Sequence, residues 1–428
     1  MRMHAVPASD APVGREMAGA SRRPLLSGRL RDGALDLAGA LTRSLPSAAA
    51  TDHRNPSLAS GSAGLAICAG QLAHTRSDQQ AADVALAHLE DAIDVLATEP
   101  LTSSLYSGFT GIAWAAELVD RLLGSLGEDR NGDIDDALTS LLSRYPEHAP
   151  YDLINGLVGL GVYALARWPR LGAVSCLLGV VEQFARRARH DQDGIYWWTP
   201  PSRVGPRGER YRPAGVDLGV AHGIAGVIPF LARVLRLGLA RQTVRPLLDG
   251  SVRWLIAHMA DTASGPTVPS FVAEGIEPGP ARSAWCYGDP GVAAALLLAA
   301  RDAGEPAWAS IATDLAVRAA ARPAGQTGVA DAGLCHGSAG LAHVFGLMHQ
   351  LTAEPALAHA ARFWVERTLD LCSADTPGAA RPACNGPGLL EGSAGVALAM
   401  EAACTVAEPI WDQMLLVSPA EPAGTEAR

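Results

Sequence analysis

Residues 333–343 read GLCHGSAGLAH, a cysteine and a histidine side by side, followed at once by two glycines three residues apart. The glycine pair is one of a series. Gly-x-x-Gly followed by an apolar residue occurs seven times: GSAGLA from Gly61, GFTGIA from Gly108, GLVGLG from Gly156, GIAGVI from Gly223, GDPGVA from Gly288, GSAGLA from Gly337 and GSAGVA from Gly392. Successive pairs lie 47, 48, 67, 65, 49 and 55 residues apart. About 45–50 residues accommodates two medium helices and their connections, so each unit reads as a helical hairpin.

The stretches behind the glycines, such as GIAWAAELVDRLL (111–123) and GVAAALLLAARDAG (291–304), are rich in Ala and Leu and apolar nearly all round. The alternate stretches differ. In DQQAADVALAHLEDAIDVLA (78–97), apolar residues recur at Ala82, Ala85, Leu86, Leu89, Ala92, Ile93 and Leu96, the spacing of a one-sided amphipathic helix. Buried helices alternating with half-wet ones describe two concentric rings. The expected fold is all-α: an α/α toroid of about seven hairpins with Gly-x-x-Gly at the start of each inner helix, where the missing side chains allow close approach. An open solenoid of hairpins is the alternative. The toroid is expected to fill residues 26–415 as a single domain, between a disordered N-terminus (1–25) and a disordered tail (416–428). One mouth of the ring is then lined by helix N-termini, whose free N–H groups and positive dipole ends favour anions.

Composition narrows the setting. The chain has 428 residues, 48% of them hydrophobic and 18% charged, the balance of a globular protein. Its longest apolar run, GVAAALLLAA (291–300), is far shorter than the ~20 residues a bilayer demands, so no transmembrane segment is expected. The N-terminus breaks at Pro, Gly and charge and has no secretory signal pattern, which points to the cytoplasm. A formal charge of −10 argues against a nucleic-acid partner. The stretch HDQDGIYWWTPPSRVGPRGERYRPAGVDLG (190–219), inside the first long interval, cannot form a regular helix; it is either a substrate loop on a rigid scaffold or a solvated connection.

Seven cysteines, an odd number without framework spacing, argue against a disulfide scaffold, and most read as small buried residues. Two stand apart. Cys335 in GLCHG and Cys286 in WCYGDPG each precede a glycine pair by two residues, which puts them at equivalent places on neighbouring hairpins. With His336 they form a Cys₂His set, the three-ligand arrangement that leaves Zn2+ an open position for catalysis; the alternative is two buried thiols and a capping histidine. His222 in GVAHG stands directly before the fourth pair, where it serves either general acid/base chemistry or structure. Asp152, four residues before the third pair, is an N-cap or the group that orients a histidine. There is no Walker loop, H-E-x-x-H or G-x-S-x-G.

Together SLYSGFTGIA, YDLINGLVG, GVAHGIAGV, AWCYGDPG, GLCHGSAGL and LLEGSAGVAL, in this order over about residues 60–415, resemble the lanthionine synthetase C-like family, which includes lantibiotic cyclases. The resemblance implies an α/α toroid with one Zn2+ on Cys286, Cys335 and His336. It also implies proton-transfer roles for His222 and Asp152, and supporting roles for Tyr287 and Arg282. The implied reaction is addition of a peptide cysteine thiol to dehydroalanine or dehydrobutyrine, closing a lanthionine or methyllanthionine ring. The implied substrate is a dehydrated ribosomal precursor peptide, made by a separate dehydratase and handed to a transporter, with the cyclase cytoplasmic or held at the membrane by that complex. One residue departs from the family pattern: Ser283 follows Arg282 where members often carry aspartate, which bears on how Arg282 and the ligands are oriented. Competing readings are an enzyme adding a small thiol such as glutathione to dehydroamino acids, a non-catalytic precursor-binding subunit, and, more remotely, a toroidal glycosidase with paired carboxylates.

Overall fold

A computed structural model describes residues 22–46, 55–124, 129–204, 210–262, 265–277, 279, 281–373, 384 and 386–419. Seven helices begin at the glycine pairs: α2 (Ser62–Arg76), α4 (Phe109–Leu123), α6 (Leu157–Ala166), α8 (Ile224–Arg236), α10 (Asp289–Ala303), α12 (Ser338–Thr352) and α14 (Ser393–Cys404). Each packs on the next, and α14 returns onto α2, so the ring closes and the solenoid alternative is set aside. The outer helices are α3 (Gln79–Thr98), α5 (Gly132–Ser143), α7 (Leu171–Arg187), α9 (Arg241–Ala257), α11 (Pro306–Ala320) and α13 (Pro355–Ser373). Twelve of the fifteen residues of α10 are buried, against seven of the twenty of α3, which is the two-ring contrast expected from composition.

Three features differ from expectation. Among the described residues no outer helix follows the last glycine pair; α1 (Gly28–Arg43), from the other end of the chain, packs on α14 instead, so the seventh hairpin is assembled from the two ends. On α3 the buried stripe is Ala82, Ala85, Leu89, Ala92 and Val95, while Leu86 and Ile93 are exposed. His88 and Asp91 are buried on the same side, Asp91 accepting from the Ser62 hydroxyl at the start of α2. Packed chain also extends beyond the expected domain limits. Arg22 donates to the carbonyls of Ala402 and Ala407, and Leu416, Val417 and Ser418 are buried, so residues 22–25 and 416–418 belong to the fold. Residues 1–21 and 420–428, also expected to be disordered, lie outside the described residues.

The C-terminal stretch occupies the inside of the ring. A 3-10 turn, Ile410–Leu415, presents its backbone to two donors on the mouth loops: Tyr106 donates through its hydroxyl to the Met414 carbonyl, and Trp285 through Nε1 to that of Leu415, both at 2.8 Å. Its Asp412 accepts from His343 of α12 at 3.0 Å.

The loops before the glycine pairs share one register. Counting back from the first glycine, the third residue is Leu58, Leu105, Leu153, Val220, Trp285, Leu334 or Leu389, and all seven are fully buried. Burying each such side chain contributes roughly 1.5–3 kcal/mol. The second residue back forms a rim. Ala59 donates its N–H to the Tyr106 carbonyl, Tyr106 to Ile154, Ala221 to Cys286, Cys286 to Cys335, Cys335 to Leu390 and Leu390 to Ala59, while between the third and fourth loops the donor to Ala221 is Leu153, one residue earlier, all between 2.8 and 3.5 Å. The circuit closes on itself.

The second glycine of each pair is required by this rim. At Gly340 an added Cβ would lie well inside contact distance of the Leu334 carbonyl oxygen, and the equivalent collision recurs at the other six. First-turn N–H groups are also spent within the loops, correcting the expectation of free donors at the mouth: Ser338 donates to the Asp331 carbonyl, Ala339 to Ala332 and Gly340 to Gly333.

The two long intervals hold short antiparallel ladders: β1 (Arg189–His190) with β2 (Ile195–Tyr196), β3 (Ser202–Val204) with β4 (Arg210–Arg212), β6 (Ala260–Thr262) with β7 (Gly265–Thr267), and β5 (Val216–Asp217) with β8 (Phe271–Val272). No described helix is long and apolar enough to cross a membrane.

Candidate active site

The residue directly before each first glycine is Ser60, Ser107, Asn155, His222, Tyr287, His336 or Glu391: polar in every unit and at least partly exposed. The three-residue step thus sorts itself into an apolar plug, a hydrogen-bonded rim and a polar lining. Cys286 and Cys335 are consecutive rim residues, tied by the Cys286 N–H to the Cys335 carbonyl at 3.3 Å. Their thiols and one His336 ring nitrogen all lie within 4.8 Å of one another.

The donor set fits a metal ion. Two thiols and an imidazole are borderline-soft ligands suited to Zn2+, and a fourth position is left for another group. Left without a metal, the two thiols divide one proton unequally: a hydrogen bond from Cys335 brings Cys286 below its ordinary range, and the same bond with burial raises Cys335. His336 is raised, mainly by its hydrogen bond to Cys286, and Asp331 stands 3.7 Å from its Nε2.

His222 and Asp152 come together on the two preceding loops. Nδ1 of His222 donates to Asp152 Oδ2 at 2.7 Å, while Asp152 Oδ1 accepts the Asn155 N–H at 2.7 Å, so the aspartate braces its own loop and orients the histidine; the N-cap of α6 is Gly156, not Asp152. Burial disfavours the imidazolium, but the Asp152 bond outweighs it with help from Asp217 and Cys286, and the His222 pKa is raised. Tyr287 donates its hydroxyl to Asp217 at 2.8 Å, and its ring centre lies 6.3 Å from that of His222. Arg282 is exposed, and its positive charge is felt by both thiols and by His336.

Asp217 is the principal residue that sequence reasoning passed over. It is fully buried and accepts from Tyr287, from Arg212 at 2.9 Å and from the Gly219 N–H at 3.0 Å. The signal was present: D-x-G-x-x-H-G occurs twice, from Asp217 and from Asp331, and in both the aspartate turns the loop by accepting the N–H two residues on. Ser283 answers the departure noted above. It is buried, and its hydroxyl accepts from Arg322 Nη1 at 2.8 Å. Arg322 in turn pairs with Asp289, so the missing carboxylate falls beside an arginine that already has one.

The remaining cysteines divide. Burial pushes Cys68 up to about 12 and Cys404 up to about 11, leaving inert thiols. Cys384 is lowered by a hydrogen bond from Cys372, a pairing that no motif spacing signalled.

Comparison with protein families matches residues 52–416 to the family described as lanthionine synthetase C-like protein. The chain belongs to that family. Among solved structures, nisin cyclase superposes on this lanthionine synthetase C-like chain with a TM-score of 0.71 at 21% identity, covering 91% of this chain and 97% of that one. The likeness establishes a shared fold over nearly the whole length of both. Comparison with curated protein sequences finds no match.

Proposed function

We propose that the protein is a zinc-dependent lanthipeptide cyclase that adds peptide cysteine thiols to dehydroalanine or dehydrobutyrine, forming (methyl)lanthionine rings. The carrying observation is the convergence of the Cys286–Cys335–His336 donor set and the His222–Asp152 pair on four consecutive loops of one rim. Membership of the lanthionine synthetase C-like family supports the same reading.

Cys286, Cys335 and His336 would hold Zn2+, which when bound lowers the pKa of a cysteine thiol so that it is deprotonated yet still nucleophilic at neutral pH. In the addition, a new S–Cβ bond forms, the C=C π pair moves toward Cα and the adjoining carbonyl, and Cα must take up a proton. His222 would supply it. With Nδ1 donating to Asp152, Nε2 is the nitrogen that faces substrate, and the raised pKa keeps a protonated fraction near neutral pH. Arg282 adds positive charge at the rim where the carbonyl oxygen becomes negative. Tyr287, held by Asp217, fixes one wall beside His222. The protein then works in the cytoplasm on a dehydrated precursor delivered by a separate dehydratase and passed to a transporter.

The test is elemental analysis of the purified protein and its variants beside a ring-closure assay on a dehydrated cysteine-containing peptide. One zinc per chain is expected, lost in Cys286→Ala and in Cys335→Ala. His222→Asn is expected to keep zinc and fold but lose ring closure. Cyclisation leaves peptide mass unchanged while consuming free thiol. A mass gain equal to an added small thiol would favour the glutathione-type reading, and ring closure at the normal rate by His222→Asn would refute the acid assignment.

A further inference from the structure

A cavity of about 860 Å³ opens beside His222 and Asp152 and runs outward between the 143–152 connection and the 183–202 segment. Its charge is at odds with the chain. The protein carries a formal −10, yet Arg144, Arg186, Arg187, Arg189 and Arg212 line this one groove, against the carboxylates of Glu147 and Asp152. Asp152 is already committed to His222.

The arginines fall into two kinds. Arg187 and Arg212 are built into the walls: Arg187 bonds the carbonyls of Tyr145 and Ala149 and lies over the Tyr145 ring, and Arg212 bonds Asp217. Arg144, Arg186 and Arg189 are exposed. Arg186 has only a loose 3.7 Å pair with Glu182, itself exposed, and Arg189 lies 5.1 Å over the face of Trp198, which is 37% exposed. A guanidinium stacked on an indole keeps its fork of donors in plane and available to a carboxylate. Trp198 and Tyr145 add aromatic surface for side chains of an extended chain.

We infer that this groove docks an acidic segment of the substrate peptide, outside the residues that react, and feeds the remainder to His222. The inference rests on the cyclase reading for the identity of the peptide but not for the binding itself. Long-range attraction between a locally positive groove and an acidic segment also speeds encounter, since the rest of the surface is net negative.

The test separates the two. A fluorescein-labelled linear peptide alternating Glu with Ser and Leu, without cysteine or dehydroamino acids, is titrated with the full-length protein by fluorescence anisotropy, beside a sequence-matched peptide with Lys in place of Glu. Variants are Arg186→Glu/Arg189→Glu and the milder Arg186→Gln/Arg189→Gln, with melting curves and zinc content as checks on the fold. The acidic peptide is expected to bind at least about tenfold tighter than the basic one, to weaken as salt rises, and to lose about tenfold in the charge-reversed variant. Equal binding of both peptides, or unchanged binding in either variant, would overturn the proposal. Failure of the cyclase reading would show instead as ring closure absent while anisotropy remained charge-selective.

Discussion

Gly340 and Gly346 lie six residues apart on α12, and replacing each by alanine is predicted to have opposite effects. At Gly340 the new methyl would collide with the Leu334 carbonyl oxygen, a backbone atom with no rotamer to yield. The segment that would have to move is held by the Cys335 N–H to the Leu390 carbonyl at 2.8 Å and by the Cys286 N–H to the Cys335 carbonyl. Overpacking of this kind costs about 1–3 kcal/mol, and a backbone obstacle puts Gly340→Ala at the upper end. At Gly346 the nearest atoms to a new methyl are Leu25 Cδ2 at 3.5 Å and Ala361 Cβ at 4.0 Å, ordinary contact distances. There the alanine gains the roughly 0.5–1 kcal/mol that glycine forfeits in a helix interior. Guanidinium denaturation of the two variants beside the parent measures both, with zinc content read in parallel because the displaced segment carries Cys335 and His336. Gly340→Ala is expected to unfold earlier and hold zinc less tightly; Gly346→Ala is expected to unfold later with zinc unchanged. A Gly340→Ala variant as stable as the parent would refute the argument that the rim, rather than helix propensity, demands the second glycine.

Two further outcomes follow from the polar groups at the mouth. His222 must be protonated to donate, so ring closure should fall as pH rises through its pKa; because Asp152 holds that pKa above the ordinary 6.5, Asp152→Asn should move the basic limb of the kcat profile to lower pH, and coincident limbs would show that the pair does not set it. Asp217→Ala should lower stability by about 1–3 kcal/mol, since it strips partners from Tyr287, Arg212 and the Gly219 N–H, whereas Asp217→Asn, which keeps an acceptor, should cost less; equal midpoints for both variants would count against these bonds.

The ring was legible in the sequence because every inner helix must start against the backbone of the loop that leads into it, and only glycine permits that approach. Cys286, Cys335 and His336 were legible for the same reason: equivalent distance from a glycine means equivalent place on the rim. What stayed hidden depends on partners far away in the chain. Nothing in GRLRDGALDLAGALTR tells that α1 will travel to α14, because its amphipathic face fits any groove of the outer ring. On α3 the burial of Asp91, polar in sequence, against a hydroxyl of another helix could not be read from its own stretch. Asp217 lay in a stretch taken for a loop, and only the pairing of Val216–Asp217 with Phe271–Val272 brings it beneath Tyr287.

The circuit of amide-to-carbonyl links around the mouth gives its seven stations a common place on their loops, with one shift of a single residue, at Leu153. Any two adjacent stations would set a pair of thiols close together, so the scaffold does not choose where a metal sits. That choice lies in single residues: cysteine at the fifth and sixth stations, and an imidazole just past the sixth. Moving the thiols one step round, onto Ala221 and Cys286, would rotate the reactive centre relative to the arginine-lined groove without altering the frame. In such a ring, the direction from which substrate arrives and the place where it reacts can be adjusted independently.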